Sequence, residues 1–264
     1  MRIGICINML GSERDPMGLE WLEAADSYGF EYVELPAAQM MDLDDKSFDA
    51  LLERLAKLRM KCECCNNLFP AAVRLTGDSV SVSAVEEYLD RVFPRVALLG
   101  ADTAVFGSSG AKNVPEGFSH EAAFRQIVDA LRMVADRCRE HGVRIAIEPL
   151  NRLESNIILN VADGARLMRA VARPEVRLLV DYYHHAMENE TEAVIVSEGS
   201  NVIHTHFAEP EGRVMPVEPK DGYFAFFNAL REAGYDGRIS LEAFSKNPAE
   251  DMKRGLQAMR ASLI

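Results

Sequence analysis

Eight short β-rich runs alternate with longer helical patterns along this chain without a break, and that alternation limits the fold more than any other feature. The predicted strands are Arg2–Ile7, Glu31–Leu35, Lys61–Asn66, Asp102–Phe106, Arg144–Glu148, Arg177–Asp181, Val202–Ala208 and Arg238–Glu242. Helical spacing predicts helices over Pro16–Tyr28, Asp44–Arg59, Val82–Leu99, Ser119–His141, Val161–Val171, Asp221–Ala233 and Pro248–Ser262, with a weaker pattern over Thr191–Glu198. Pro16 near the first turn and Gly29 past the end frame the first of them. No linker, low-complexity tract or composition break divides the 264 residues, so residues 1–264 read as a single domain. Eight β–α units in one run predict an α/β (β/α)8 TIM barrel. A doubly wound open sheet, the alternative, usually has fewer strands and gathers its ligand at one switch point.

The second constraint lies at the strand ends. Arg144-Ile145-Ala146-Ile147 reads as a buried strand and leads into Glu148, after which Pro149 forbids further ladder bonding. The same design recurs where Asp181, His206 and Glu242 end the next three strands. A charge at the end of an apolar run is costly unless something pairs with it or binds it. A lone carboxylate there is more often a cap, and a lone histidine more often a hydrogen-bonded core residue. His204 has that reading too, or it shares the face of His206 deeper in the barrel. Four ligand types at successive strand ends converge only if the sheet closes, at the C-terminal mouth where barrel chemistry sits. Three carboxylates and an imidazole form an oxygen-rich set. It suits Mn²⁺, Mg²⁺ or Co²⁺ better than structural Zn²⁺. Glu154, His184, Glu209 and Arg213 follow these ligands closely enough to hold a sugar. The blander readings are a loop ion pair of Arg213 with Glu211 or Glu218, and a surface or supporting place for His185.

Composition narrows the partners. With 29 basic and 41 acidic residues, the net charge of −12 leaves no basic footprint for nucleic acid or an anionic membrane. Five cysteines form no disulfide framework and point to a reducing compartment. Cys62, Cys64 and Cys65 lack the second cluster a zinc site needs, and Cys62 and Cys64 are expected to face one side of their strand. The chain starts in a strand, without a signal region or an apolar run able to span a bilayer. A cytoplasmic location is the expectation.

Ile147-Glu148-Pro149-Leu150-Asn151-Arg152-Leu153-Glu154 resembles the Glu-Pro-Leu-Asn-Arg-x-Glu motif of the ketose 3-epimerases (D-tagatose or D-psicose 3-epimerase type). These belong to the xylose-isomerase-like superfamily of barrel sugar isomerases and epimerases. Gly234-Tyr235-Asp236-Gly237 before the last strand is similar as well, and specific motifs occur only from the fifth strand onward. The resemblance implies metal ligands at Glu148, Asp181, His206 and Glu242, with Mn²⁺ the favoured ion, and substrate contacts at Glu154, His184 and Arg213. It implies a small-molecule sugar substrate and a homo-oligomer, dimer or tetramer. Tyr223, Phe224, Phe226 and Phe227 are either core or its interface. There is one departure. After Arg213 the family has a Pro-Gly-x-Gly turn, whereas this chain reads Val214-Met215-Pro216-Val217-Glu218-Pro219-Lys220-Asp221-Gly222. A phosphorylated sugar is disfavoured, because barrel phosphate sites use glycine-rich turns after the last strands. Gly107-Ser108-Ser109-Gly110 is the remaining flexible turn, either a plain loop or a contact for the far end of the substrate.

The implied reaction is C3 epimerisation of a free ketose. Glu148 and Glu242 act as acid and base, and a divalent ion stabilises the enediolate. Rivals on the same scaffold are an aldose–ketose or hydroxypyruvate isomerase and an inosose dehydratase. A repair endonuclease needs more than six histidines can provide and a basic face. A non-catalytic sugar-binding protein has no use for four intact ligands.

Overall fold

In the computed structural model, which describes residues 1–263, eight parallel strands close into a barrel in sequence order, β1 pairing with β8. They are β1 (Arg2–Cys6), β2 (Tyr32–Pro36), β3 (Lys61–Asn66), β4 (Thr103–Phe106), β5 (Arg144–Ile147), β6 (Val176–Asp181), β7 (Val202–Phe207) and β8 (Arg238–Leu241). The helices around them are α1 (Leu22–Tyr28), α2 (Ala37–Met40), α3 (Asp45–Ala56), α4 (Val82–Leu98), α5 (Ser109–Lys112) and α6 (His120–His141). They continue with α7 (Val161–Val171), α8 (Tyr182–Met187), α9 (Ala193–Glu198), α10 (Asp221–Glu232) and α11 (Pro248–Ser262). The expected (β/α)8 TIM barrel is therefore the observed fold.

Local chemistry places the helix starts. Asp44, Ser81, Ser119 and Asn160 each accept a backbone N–H of the first turn of α3, α4, α6 and α7. Left-handed Gly29 and Gly142 close α1 and α6. The first helix is shorter than expected. It begins only at a 3-10 turn over Leu19–Trp21, because Gly18 is left-handed (φ 67°) and lies against the carbonyl oxygen of Ile7. The short helices α2 and α8 follow strands directly, α5 is separated from β4 by two residues, and all three carry too few turns to show a helical period.

The pleat of each strand sends alternate residues outward to the helices and inward to the barrel. Val105, Ala146 and Leu179 form a small inner apolar cluster, with Ile203 against it. Ile145, Ile147, Leu178, Val180 and Phe207 belong to the large outer core. The same parity carries upward from Ala146 to Glu148, from Leu179 to Asp181, from His204 to His206 and from Ser240 to Glu242. All four candidate ligands thus face the barrel axis at its C-terminal end.

The cysteines of β3 require a correction. A register shift between Val33 and Glu34 pairs Val33 with Cys62 but Glu34 with Cys64, so Glu63 is bulged out. Cys62 and Cys65 join the outer core, while Cys64 turns inward beside His204. Cys62 and Cys64 therefore face opposite sides. On α10, Tyr223, Phe226 and Phe227 are fully buried against Phe207 and Tyr182, and only Phe224 is exposed. Most of that aromatic run is core. Among the described residues no helix is long and apolar enough to cross a membrane.

Candidate active site

Glu148 directly follows β5, and its N–H donates to the carbonyl of Phe106 at 3.1 Å before Pro149 ends the ladder. Glu242 occupies the equivalent place after β8, donating to Phe207 at 3.0 Å. Asp181 is the last residue of β6 and caps α8 by accepting the Tyr183 N–H at 2.9 Å. His206 lies one residue before the end of β7. One ligand atom from each of these four lies within 4.8 Å of the others, and all four residues are buried.

His206 is the hub. Its Nδ1 lies 2.9 Å from Glu148 Oε1 and 3.3 Å from Glu242 Oε2. Its Nε2 lies 3.2 Å from Glu34 Oε1 on the deeper side. Burial works to lower the His206 pKa, but Glu242 and Glu34 outweigh it and hold it well above the ordinary value. The carboxyls respond unequally. Burial and neighbouring Glu242 push Glu148 up. Asp181 is pushed up to about 8 by burial, with Glu242 and Glu148 adding to this against the pull of Arg213. Burial also works against ionised Glu242, but His206 and Arg213 prevail and bring it down to about 2.

The residues fit a divalent cation. Three buried carboxylates converge on one imidazole, a hard, oxygen-rich donor set. Asp181 Oδ2 is fully buried with no hydrogen-bond partner. An acceptor orphaned inside such a cluster is open to a cation or an ordered water.

Arg213 takes neither of its expected loop partners. Its backbone is left-handed (φ 50°), and its guanidinium donates to Glu154 at 3.0 and 3.2 Å and to Glu242 at 2.5 Å. It also lies over the Tyr183 ring at 4.8 Å. His184 is buried beside Asp181, with Nε2 3.6 Å from Asp181 Oδ2. The Asn151 N–H donates to His184 Nδ1 at 3.0 Å, which leaves the proton on Nε2. Burial, then Arg213, brings the His184 pKa down to about 2, so the ring is neutral. The motif arginine, Arg152, points away and pairs with Glu188 at 2.6 Å. His185 is buried 3.7 Å from Glu190 and 6.2 Å from the Phe226 ring, and Glu209 pairs with Lys220 at 2.7 Å.

A cavity of about 340 Å³ opens above the cluster. Glu148, Glu154, Arg213 and Glu242 line it together with Asn8, Asn66, Ser108, Ser109 and Phe244. Asp181, His184 and His206 are buried beneath these residues. The turn Gly107-Ser108-Ser109-Gly110 lines the cavity along its whole length, and Arg213 is the only cation among the described lining residues.

Three residues escaped the sequence reading. Glu34 is fully buried and accepts from Ser240 Oγ at 2.7 Å besides meeting both barrel histidines. Its signal was present, since Tyr32-Val33-Glu34-Leu35 is another carboxylate set in an apolar run. Lys112, also fully buried, donates to the carbonyl oxygen of Glu148 at 3.1 Å, and its sequence gave no sign of this. Asn66 Nδ2 donates to Asn8 Oδ1 at 2.9 Å at the far wall.

Comparison with known proteins follows the same line. The family model described as the xylose isomerase-like TIM barrel matches residues 22–262. A ketose 3-epimerase of Arthrobacter globiformis is 28% identical over 237 residues, covering 88% of this chain and 80% of the relative. An L-ribulose 3-epimerase of Methylomonas sp. is 25% identical over 223 residues, covering 82% of this chain and 75% of the relative. A D-psicose 3-epimerase crystallised in the presence of D-fructose superimposes with a TM-score of 0.89 at 19% identity, covering 100% of this chain and 99% of the other, a likeness of fold.

Proposed function

The chain belongs to the xylose isomerase-like TIM-barrel family and is a sugar epimerase or isomerase; we propose that it inverts C3 of a free ketose with the help of a divalent cation. The observation that carries this reading is the pair of buried carboxylates, Glu148 and Glu242, meeting at His206 Nδ1 on the wall of one cavity.

Glu148, Asp181, His206 and Glu242 would hold the ion, with Mn²⁺ the best match to the donor set and Mg²⁺ or Co²⁺ as substitutes. Bound there, a divalent cation supplies Lewis-acid polarisation of the ketose carbonyl and offsets the negative charge of the cluster. Glu148 and Glu242 would carry the proton transfer, one taking the proton from C3 and the other returning one to the opposite face. Arg213 and Glu154 orient the hydroxyls, and the Nε2–H of neutral His184 is a donor for an oxygen that gains charge.

A free sugar fits better than a phosphorylated one. Arg213 is the only cation among the described lining residues, and two carboxylates already engage it. The test is proton exchange in D₂O with the Mn²⁺-loaded protein and a panel of free ketoses, read by NMR. Deuterium at C3 together with the C3 epimer supports the proposal. Deuterium at C1 or C2 with an aldose product moves the chain to the aldose–ketose isomerases.

A further inference from the structure

Beneath the four-residue cluster, one carboxylate joins both barrel histidines. Glu34 projects inward from β2, which is not a neighbour of β7, and it is fully buried. Its Oε1 lies 3.2 Å from His206 Nε2, and its Oε2 lies 2.8 Å from His204 Nε2 and accepts from Ser240 Oγ at 2.7 Å. We propose that Glu34 is a positioning residue that holds His206 with Nδ1 presented to the divalent cation. This rests on the metal-centre reading given above.

An imidazole offers two nitrogens, and the hydrogen bond at one decides which is free to ligate. Glu34 lies on the Nε2 side at 3.2 Å, so Nδ1 is the nitrogen turned toward Glu148 and Glu242, at 2.9 and 3.3 Å, and it is the one that would give up its proton to a cation bound there. Packing alone would not retain Glu34. A fully buried carboxylate costs more than an apolar side chain of its size unless every lone pair is used. Both its oxygens are used, by His204 and His206 of β7 and by Ser240 of β8. Ser240 and His204 fix the carboxylate plane, and Oε1 then remains for His206. The His204-Thr205-His206 alternation places both rings inside the barrel, one above the other, with centroids 5.0 Å apart.

The experiment measures Mn²⁺ affinity by the electron paramagnetic resonance signal of the free ion, for wild type, Glu34→Gln and Ser240→Ala. Circular dichroism verifies the fold of each. Loss of a carboxylate behind a ligating histidine weakens metal binding by roughly 10–100-fold, which is the result expected for E34Q. S240A removes one of two bonds to Glu34 Oε2 and leaves His204 on it at 2.8 Å, so the Glu34–His206 contact stays and binding should remain within about threefold of wild type. A purely structural role for Glu34 would lower the melting temperature and leave the affinity of the folded variant unchanged, and that result overturns the proposal. If E34Q does not fold, ¹⁵N-histidine NMR of the wild type with a diamagnetic ion decides. His206 should show a coordinated Nδ1 and a protonated Nε2, and coordination through Nε2 overturns the assignment. Wild type that binds no Mn²⁺ refutes the metal centre and this role with it. Mn²⁺ binding that E34Q retains in full refutes the role of Glu34 alone.

Discussion

Gly107 follows β4 at the point where Glu148 crosses from the next strand. A Cβ placed on it would lie 2.1 Å from Glu148 Oε2 and 3.3 Å from the carboxyl carbon, where 3.4 Å begins ordinary contact. Gly107→Ala therefore demands a displacement of about 1 Å at that oxygen. The main chain of Glu148 is not free to supply it. Its N–H is bound to Phe106 and its carbonyl oxygen to Lys112. The side chain must turn instead, and turning breaks the 2.9 Å contact between Oε1 and His206.

A displacement of ~1 Å at a reacting group costs roughly 100-fold in rate, or about 2.7 kcal/mol of transition-state stabilisation. The added methyl also overpacks the barrel mouth at a cost of about 1–3 kcal/mol in stability. The assay is kcat/KM on the best free ketose, with Mn²⁺ affinity and thermal unfolding measured alongside. Gly110→Ala is the control. Its Cβ would meet Ala71 at 2.8 Å rather than the cluster, so it should lose stability and keep its Mn²⁺ affinity. G107A that keeps turnover and Mn²⁺ affinity within about threefold of wild type would refute the placement of Glu148 at the reacting centre.

Glu148→Gln and Glu242→Gln should fold and lose turnover by ~100-fold or more, since each removes a proton-transfer group; single-turnover kinetics on either variant checks this. Mn²⁺ at about 100 times its dissociation constant should stabilise the fold by about 2.7 kcal/mol, and a chelator should reverse the gain in thermal denaturation. Lys112 gives a pH signature. Burial lowers its pKa from the ordinary 10.5 to about 8, against the opposing pull of Glu148 and Glu154. Between those values the unfolded chain binds a proton that the native protein does not. Lys112 therefore costs the fold most below about pH 8, and stability rises relative to Lys112→Met as the pH approaches 10.5. Urea midpoints of both proteins across that window decide it, and parallel curves would remove the buried charge from Lys112.

The metal-ligand candidates were legible because their signal is local. A carboxylate or histidine at the end of an apolar strand is anomalous in one dimension, and the period-2 pleat turns that anomaly into an inward-facing group. Glu148, Asp181, His206 and Glu242 were found in this way. Glu34 carries the same anomaly but lies on β2, outside the four C-terminal strands that bear the recognisable motifs. Lys112 sits on a four-residue helix just after the Gly107-Ser108 turn, and only the tertiary fold lays it beneath Glu148. The bulge at Glu63 was equally invisible. It is set by register against β2, so parity counted along β3 alone put Cys62 and Cys64 on one face.

After Arg213 the chain has no glycine-rich turn, and left-handed backbone comes just before, at Gly212 (φ 79°), and at Arg213 itself. The loop is then closed by backbone bonds. Glu209 N–H donates to the Val214 carbonyl at 2.9 Å, and Phe244 N–H donates to the Arg213 carbonyl at 2.8 Å. Farther on, Lys220 lies 2.7 Å from Glu209, and the Tyr223 hydroxyl donates to the same carboxylate. These bonds tie the segment after β7 to the one after β8, so Arg213 is delivered to Glu154 and Glu242 from a fixed frame rather than a flexible turn. The position of the guanidinium is thus set by the residues on either side of it.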